Sequence, residues 1–526
     1  MAYEAFTGQH LGYGLSRIPN QIGDALAPKP NRAVMGEPKP GRPVSHSATY
    51  HICRTASELA QAMQRQGGGS LTGLGFLPLL GSKLEFYRSL RTTIFGLSLV
   101  VHARRGTGST QLLQPTLAAG VEAPRTDNEL EKFVRLYGDS YLSSVDVGGE
   151  CIGVYTFRSE TREQAKRVEH ALQVGGLVSG LQLGADLKHT VEDVSRTNSI
   201  NVDFHYEVWG CSEVPKLHPD NLVDYALGFG DTIDSPMVLD LATEGYESLP
   251  EIDTAFRPVA ANRDLFTRRG GLLRKHQRLC ELINQMDSAR RTLDIYGVSL
   301  PDATQLASNR DTALTDIATI DAMVEAYKAA PSASLAEPDL PSLANGSPRI
   351  RAKVGEEGAT RIGRVEERRG KPFTFPYDWA TSIQNQVRLE AIGLEAGWRV
   401  DKLRLSYSSS LGSGSTQDVC HGGDRGDNLG DLPIASGEGI TAIYSEFGTN
   451  IDKLRLQTNQ GILESSGNQG DKQHPVDWRP VPGQVVLGFS GRSDDEPDGA
   501  VYSLQAVVAR IEGIDWEPID ALDMND

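Results

Sequence analysis

Hydrophobic and polar residues alternate with different periods in three successive parts of the chain. Between about residues 50 and 250, runs that alternate at every second position are mixed with helix-like runs, which predicts strands and helices together. Between residues 262 and 330, apolar residues recur at heptad-like spacing on both sides of a break at 297–301, which predicts a helical hairpin. From about residue 351, short alternating runs separated by Gly, Asp and Asn are typical of an all-β domain.

The all-β part contains one six-residue phrase three times. Residues 400–405 (Val-Asp-Lys-Leu-Arg-Leu) recur as residues 451–456, and in altered form as residues 501–506, at an almost constant spacing. A fixed period predicts one supersecondary unit used three times, and such a unit does not bury its apolar side alone. The last third of the chain is therefore expected to be a three-fold β structure.

A second pattern lies in the first half, where a helix is expected to end at Gly138 and a long strand to begin at Tyr141. The apolar residues of this strand change from one face to the other after Gly148 and Gly149. A change of face across paired glycines predicts a bulge or sharp bend, because glycine adopts unusual backbone angles at little cost. A partly helical segment and a regularly alternating return strand (residues 200–209) follow.

These changes of pattern predict an α+β multidomain protein, since 526 residues are too many for one core. We expect an α+β domain at residues 1–260 and a helical hairpin with its linker at residues 261–350. The all-β domain is placed at residues 351–514, and an acidic tail at residues 515–526.

Charge and cysteine content narrow the functional classes. The formal net charge of −17 argues against a nucleic-acid partner, which requires a basic face, and disfavours electrostatic attachment to anionic lipid. Five scattered cysteines indicate free thiols rather than a disulfide framework. We find no run of 18 apolar residues and no recognisable signal peptide, so we expect a soluble protein that is released by a non-obvious route.

The chemistry of catalysis is not visible in the sequence. The eleven histidines are dispersed, and neither a zinc-binding spacing nor a nucleophile-elbow motif occurs. We therefore expect no enzyme, no catalytic residue, no metal and no cofactor.

Residues 10–250 resemble the membrane attack complex/perforin (MACPF) superfamily. The resemblance depends on an aromatic-Gly-x-x-aromatic segment that leads into a strand with a Gly-Gly pair, where Asp139-Ser140 replaces the more common Thr-His. The residues that carry it are Tyr137, Gly138, Tyr141, Gly148 and Gly149. The resemblance implies a bent antiparallel sheet with flanking helical clusters near residues 56–91 and 159–199, which would unfold into hairpins of an oligomeric barrel. Surface helices on an ordinary α+β domain are the alternative.

Residues 385–512, which contain the repeated phrase, resemble the jacalin-like lectins and imply a β-prism I of three Greek-key sheets. Such lectins are implied to bind sugars through a Gly-x-x-x-Asp loop, which the first two repeats keep. The residues implied to bind carbohydrate are Gly397, Trp398, Asp401, Gly448, Asp452, Gly422, Gly423 and Tyr502.

The third repeat departs from this pattern, because Tyr502 stands where Asp is expected and an acidic loop (494–498) precedes it. Trp398 could lie against the apolar face of a sugar ring. Asp401 and Asp452 could instead only form turns. Residues 351–384 fit the lectin pattern less well and are expected to be an added strand or a docking segment.

Together the two resemblances favour a pore-forming toxin or defence protein. In this hypothesis the prism attaches to glycans or lipid headgroups on a target-cell membrane, and the MACPF-like domain assembles into a ring oligomer with a β-barrel pore. The alternative is a non-lytic soluble lectin or adhesion protein with a MACPF-like scaffold. A carbohydrate-binding partner of a larger toxin complex is the third reading.

Overall fold

A computed structural model gives the structure of most of the chain. It describes residues 10–18, 29–41, 46–53, 96–158, 172, 201–213, 216–268, 270–363, 369–375, 382–383, 386–409, 417–448, 450–465 and 473–518. The two predicted helical clusters, at residues 56–91 and 159–199, lie outside the described residues except for Leu172, which is helical and buried.

The described N-terminal residues form one antiparallel sheet of seven strands. The strands are β1 (Gly14–Leu15), β2 (Val34–Pro40), β3 (Ser47–Cys53), β4 (Gly96–Leu117), β5 (Ser140–Arg158), β6 (Asn201–Trp209) and β7 (Met237–Gly245). The long strands β4 and β5 pair along most of their length in the centre of the sheet. Strands β3 and β2 pair with successive parts of the outer side of β4. Strands β6 and β7 pair with successive parts of the outer side of β5.

The predicted irregularity at the glycine pair is present in the sheet. The register of β4 on β5 shifts between Gly106 and Gly108, opposite Gly148, and the outer partners of both strands change at the same level. A Cβ atom on Gly148 would lie 2.0 Å from the carbonyl oxygen of Arg105. Only glycine therefore fits this crossing of two backbones.

Five described helices surround and extend this sheet. They are α1 (Asp127–Tyr137), α2 (Leu222–Gly228), α3 (Asp253–Thr267), α4 (Leu272–Ile295) and α5 (Ala303–Ala329). Thr126 and Glu129 form a capping box that begins α1, and Gly138, with a φ of 80°, ends it as the sequence predicts. In the described helices, none has both the length and the apolarity needed to span a bilayer.

Helices α4 and α5 pack on each other as the predicted helical hairpin, with Leu279, Met286, Ile320 and Val324 buried. Their hydrophobic core continues into α1 and α3 on one side and into the C-terminal sheets on the other. The hairpin is therefore a shared structural support of both halves.

The C-terminal part consists of three four-stranded antiparallel sheets around a second hydrophobic core. The first sheet contains β10 (Val387–Ala396), β11 (Val400–Ser409), β12 (Gln417–Gly422) and β13 (Asp427–Pro433). The second contains β14 (Ile440–Phe447), β15 (Ile451–Thr458), β16 (Ile462–Glu464) and β17 (Gln473–Trp478). The third contains β8 (Ser347–Glu356), β9 (Lys371–Phe375), β18 (Gln484–Ser493) and β19 (Val501–Glu517).

The three-fold repeat of the sequence becomes a three-fold repeat of structure. Strands β11, β15 and β19 begin at Val400, Ile451 and Val501, the first residues of the three repeated phrases. Each pairs with the preceding hairpin strand, and each pair has register shifts at two corresponding places. The interior is built from the leucines of the phrases, including Leu403 and Leu454. This architecture agrees with the predicted β-prism.

Residues 351–384 contribute strands to the third sheet, and the first of the two expectations for this segment therefore holds. Strand β8 pairs with β19 from Ser347 to Glu356, and β9 pairs with β18, so these segments supply both outer strands of the third sheet. These two strands complete the third sheet. Their partners lie more than a hundred positions away in the sequence, and a local pattern does not show such pairing.

The tail also begins later than predicted, because β19 continues to Glu517. Its acidic end pairs with basic residues of β8: Arg349 with Glu517, and Arg351 with Asp515. Cross-strand pairs of opposite charge stabilise a sheet. An acidic composition at residues 515–517 therefore reflects strand pairing rather than a loose end.

Candidate functional site

Corresponding hairpin loops join the inner strands of the three sheets. The first loop closes with a hydrogen bond from the Gly397 amide to the Arg399 carbonyl (3.1 Å), and the second closes from Gly448 to Asn450 (3.0 Å). The third, residues 494–500, is longer and closes from Asp494 to the carbonyl of Ala500 (3.0 Å). These are the loops in which the sequence places the carbohydrate site.

Asp401 fixes the shape of the first loop through contacts with Gly397 and Arg399. It is only 5% exposed. One carboxylate oxygen accepts the Gly397 amide hydrogen bond at 3.0 Å, and the other lies 3.2 Å from Nε of Arg399. In the structure this aspartate therefore acts as a turn former, and only its remaining lone pairs are available to a ligand.

Trp398 occupies the tip of the same loop. It is 85% exposed, the highest value among the large apolar side chains that the structure describes. A single exposed apolar residue is ordinary, but an indole held out on a short, internally bonded loop presents a flat apolar face with a polar N–H at its edge. The loop therefore offers a surface on which a flat ring can stack.

Gly422 and Gly423 form a tight turn against this loop. The Gly423 amide donates to the Asp401 carbonyl at 3.0 Å, and Gly422 has a φ of 108°. A Cβ atom on Gly422 would lie 1.9 Å from the Asp401 carbonyl oxygen, so a side chain does not fit there. The Gly422 amide donates to Oδ1 of Asp495, in the third loop, at 2.9 Å. The structure thus brings together the first loop, the glycine turn and the third loop.

The contribution of the third loop is what sequence reasoning missed. A guanidinium nitrogen of Arg399 donates to the carbonyls of Asp498 (2.9 Å) and Gly499 (3.3 Å). The Asp498 carboxylate pairs with Arg425, which follows the glycine turn. The acidic stretch at residues 494–498 was a visible signal of an unusual loop, but its partners were not visible.

The remaining predicted sugar-binding residues lie elsewhere. Gly448 and Asp452 belong to the corresponding loop of the second sheet, where burial raises the pKa of the Asp452 carboxyl. Tyr502 lies at the start of β19 beside Gly370, since a Cβ on that glycine would be 2.9 Å from the tyrosine ring. The eight predicted residues therefore do not form one constellation. Gly397, Trp398, Asp401, Gly422 and Gly423 do.

A buried polar cluster supports the junction between α1 and β5 in the N-terminal half. Asp139 accepts hydrogen bonds from the Arg17 amide (3.0 Å), the Ser140 hydroxyl (2.9 Å) and the Tyr327 hydroxyl (3.1 Å). The guanidinium of Arg263 donates to the Asp139 carbonyl at 3.0 Å.

The aromatic-Gly-x-x-aromatic residues surround this cluster. The Tyr137 carbonyl accepts the Tyr246 hydroxyl hydrogen bond at 3.0 Å, and the Tyr141 hydroxyl donates to Glu244 at 2.8 Å. A Cβ on Gly138 would lie 2.2 Å from the Leu15 carbonyl. In this structure these residues join elements of the fold to one another.

Within the described part of the chain, no group of three or more His, Cys, Asp and Glu side chains is placed to hold a metal ion. A Cys-His-Asp series does occur on α4 and α5. Sγ of Cys280 lies 3.7 Å from His276, which lies 3.6 Å from Asp321. Burial raises the pKa of the Cys280 thiol, which is the opposite of what an activated cysteine requires.

Residues 367–499 match the protein family described as the Jacalin-like lectin domain. This match and the three-sheet prism identify residues 367–499 as a Jacalin-like lectin domain.

Similar solved structures cover 30–31% of the chain. Malaysian banana lectin is 18% identical, with 30% of this chain and 98% of that chain covered and a TM-score of 0.23. AcmJRL, a mannose-binding jacalin-related lectin from Ananas comosus, is 19% identical, with 30% and 96% covered and a TM-score of 0.22. Calystegia sepium agglutinin is 19% identical, with 31% and 98% covered and a TM-score of 0.22. No curated protein matches the chain.

Proposed function

We propose that this protein binds carbohydrate through the first-repeat loop of its lectin domain, with Trp398 as the main contact. The observation that carries the proposal is the position of this side chain, 85% exposed at the tip of a Gly-x-x-x-Asp loop in a domain of a lectin family. The proposed partner is therefore a glycan rather than a nucleic acid or a lipid tail.

The proposed contacts follow from the chemistry of the loop. The indole face packs on the apolar face of a pyranose ring, and its N–H can donate to a ring hydroxyl. Asp424, which pairs with Lys402, and Arg425, which pairs with Asp498, lie beside the loop and are exposed, so their other oxygen and N–H groups supply an acceptor and a donor for further hydroxyls. Because Asp401 already holds the loop, little conformational entropy is lost when the sugar binds.

The test is a glycan array with the full chain, followed by titration of the best ligand against Trp398→Ala. We expect the affinity to fall at least about tenfold, which corresponds to about 1.4 kcal/mol. Ile462→Ala and Val481→Ala are matched controls, because both residues are exposed apolar side chains of the same domain, 49% and 51% exposed, outside the three loops. If Trp398→Ala binds as tightly as the parent protein, the ligand binds elsewhere. Asp452→Ala then tests the second loop.

We also propose, as a second candidate function, that the N-terminal half inserts into membranes to which the lectin domain has attached. One observation favours it. Strand β3 ends at Cys53 and β4 begins at Gly96, while β5 ends at Arg158 and β6 begins at Asn201. These four strand termini lie at the same end of the sheet.

Residues 54–95 connect β3 to β4, and residues 159–200 connect β5 to β6, so both connections start and finish at that end of the sheet. Each is long enough for a membrane hairpin, since about 9–11 residues per strand cross a bilayer. Attachment through several glycan sites would raise the local concentration of subunits for ring assembly.

Dye release from glycolipid-containing liposomes tests this second candidate. We expect leakage and ring-shaped oligomers by electron microscopy with the parent protein, and loss of both with Trp398→Ala. Binding to the liposomes without leakage at any concentration would contradict pore formation and leave the non-lytic lectin. Leakage that is unaffected by Trp398→Ala would separate insertion from the proposed glycan site.

A further inference from the structure

The backbone donors beside Trp398 are already used within the protein. The Gly423 amide donates to the Asp401 carbonyl, and the Gly422 amide donates to the carboxylate of Asp495 at 2.9 Å. The amide of Asp424 donates to the carbonyl of Pro497 at 3.2 Å. Two of these three acceptors, Asp495 and Pro497, belong to the third loop (residues 494–500).

The third loop also covers the glycine turn sterically. A Cβ atom on Gly423 would lie 2.6 Å from both the Glu496 carbonyl and the Gly499 amide nitrogen. The two arginines beside the turn hold the loop in place: Arg399 binds the Asp498 and Gly499 carbonyls, and Arg425 pairs with the Asp498 carboxylate. Carboxylate and carbonyl oxygens thus stand where sugar oxygens would accept the same hydrogen bonds.

The third repeat lacks the residue that closes its own loop in the manner of the first. Asp401 bonds back to the Gly397 amide, whereas the third repeat has Tyr502 at the corresponding position. Its acidic residues instead reach across to the first repeat. The Asp495 carboxylate accepts a hydrogen bond from the hydroxyl of Ser493, the last residue of β18 (2.9 Å), and another from the amide of Gly422 in the first sheet.

We propose that the third loop is an internal occupant of the first-repeat site, which a glycan displaces when it binds. The proposal rests on the proposed function, because it concerns the same site. One of the contacts that hold the loop is the ion pair of Arg425 (68% exposed) with Asp498 (65% exposed), and pairs of this kind contribute little to stability. Residues 495–498 are all exposed, so none of them is part of the prism core. The loop can therefore leave without unfolding the prism, and the residues that hold it determine how tightly a glycan must bind.

The test is the double variant Asp495→Ala/Asp498→Ala, titrated with methyl α-mannoside and methyl β-galactoside. We expect a rise in affinity of about tenfold for the glycoside that binds, because the competing acceptors are removed. The matched control is Asp515→Ala/Glu517→Ala, which removes the same charge from exposed ion pairs with Arg351 and Arg349 on the outer face of the third sheet. We expect this control to bind as the parent does.

Hydrogen exchange provides a second measurement that does not depend on a gain in affinity. In the parent protein, the glycoside should increase amide exchange in residues 494–500 and decrease it in residues 397–401. Asp495→Asn keeps an oxygen acceptor in the same shape and should give a smaller rise in affinity than the double variant. It also serves if the double variant does not fold.

An unchanged or lower affinity of a folded double variant, or exchange in the third loop that falls on glycoside binding, would overturn the proposal. The loop would then be a supporting part of the site, and the proposed function would stand. Binding by the double variant that survives the added Trp398→Ala change would instead refute the proposed site. If neither the parent nor the double variant binds these glycosides or any glycan of the array, both proposals fail.

Discussion

The N-terminal sheet and the C-terminal prism are both antiparallel, but they differ in where their charged side chains lie. In the sheet, His102 and Glu150 are buried and 2.7 Å apart, and Asp139 is fully buried in its hydrogen-bonded cluster. In the prism, the interior described here is a cluster of aliphatic and aromatic side chains, and the buried Asp401 lies outside that cluster, in the first loop. Charged pairs such as Arg351 with Asp515 lie on its outer face.

The difference shows how each half obtains its geometry. A buried charge is costly unless it is paired, so each one in the sheet depends on a partner supplied by another element. Asp139 depends on Tyr327, which is 188 positions away in the sequence. The prism is three copies of a local hairpin with an apolar interior. Its loops can therefore change without loss of the fold, and the candidate site is found among them.

The largest expected effect is at the crossing of β4 and β5. Gly148→Val would place a Cβ atom 2.0 Å from the Arg105 carbonyl oxygen and 2.7 Å from Leu239. Because two backbones meet there, the collision cannot be relieved by a side-chain rotation. We expect the free energy of unfolding to fall by more than about 5 kcal/mol. In calorimetry the N-terminal half should unfold at a much lower temperature or show no unfolding transition.

Gly108→Ala is the matched control, since its Cβ would meet only a methyl group of Val147 at 3.4 Å in the same bulge. It should cost less than about 1 kcal/mol. If both variants unfold at the same temperature as the parent protein, the close approach of the two backbones at Gly148 does not determine the geometry of the N-terminal sheet.

The second effect concerns the buried cluster. Asp139→Ala removes the acceptor of three hydrogen bonds and the carboxylate charge that stabilises the nearby Arg263 guanidinium, so we expect a loss of about 3–5 kcal/mol in the free energy of unfolding. Tyr327→Phe removes a single hydroxyl and should cost about 1 kcal/mol. Urea unfolding followed by circular dichroism measures both.

The exposed counterpart in the prism is Asp515→Ala, for which about 0–1 kcal/mol is expected because an exposed ion pair is screened by solvent. Equal costs for Asp139→Ala and Asp515→Ala would contradict the distinction between buried and exposed charge in the two halves.

The same distinction explains how much of the fold the sequence could predict. The repeated phrase, the glycine pair and the end of α1 at Gly138 are local patterns, and the structure contains each of them. The roles of residues 351–384 and of the acidic end at 515–517 depend on pairing between distant strands. Hydrophobic alternation does not carry that information.

The candidate site divides in the same way. The Gly-x-x-x-Asp motif located Trp398 and Asp401 in one loop, and the glycine turn was found beside them. The role of Asp401 stayed open because exposure decides between a ligand and a turn former, and exposure is a property of the folded chain. Arg399 and Asp498 were missed because they are 99 positions apart in the sequence.

The smallest expected effect concerns His421, an ionisable side chain half-buried beside the glycine turn in the prism. Its ring stacks on Phe373 at a centroid distance of 3.9 Å, and burial lowers its pKa from 6.5 to about 4. The unfolded chain therefore binds a proton between pH 6.5 and 4 that the folded chain does not. Stability should fall as the pH decreases through this range and no further below it.

His421→Phe keeps the stacked ring and removes the titration, so its stability should fall less than that of the parent protein between pH 6.5 and 4. The shift sets a limit of about 3 kcal/mol, and the partial solvent access of the ring reduces the expected difference to about 1–2 kcal/mol. Thermal unfolding at several pH values measures it, with the exposed His46→Gln as the control. The carboxylates titrate in both proteins, so only the difference between the two profiles reports on His421. Identical profiles would mean that this histidine is protonated in the folded prism, and that a charge is tolerated beside Phe373.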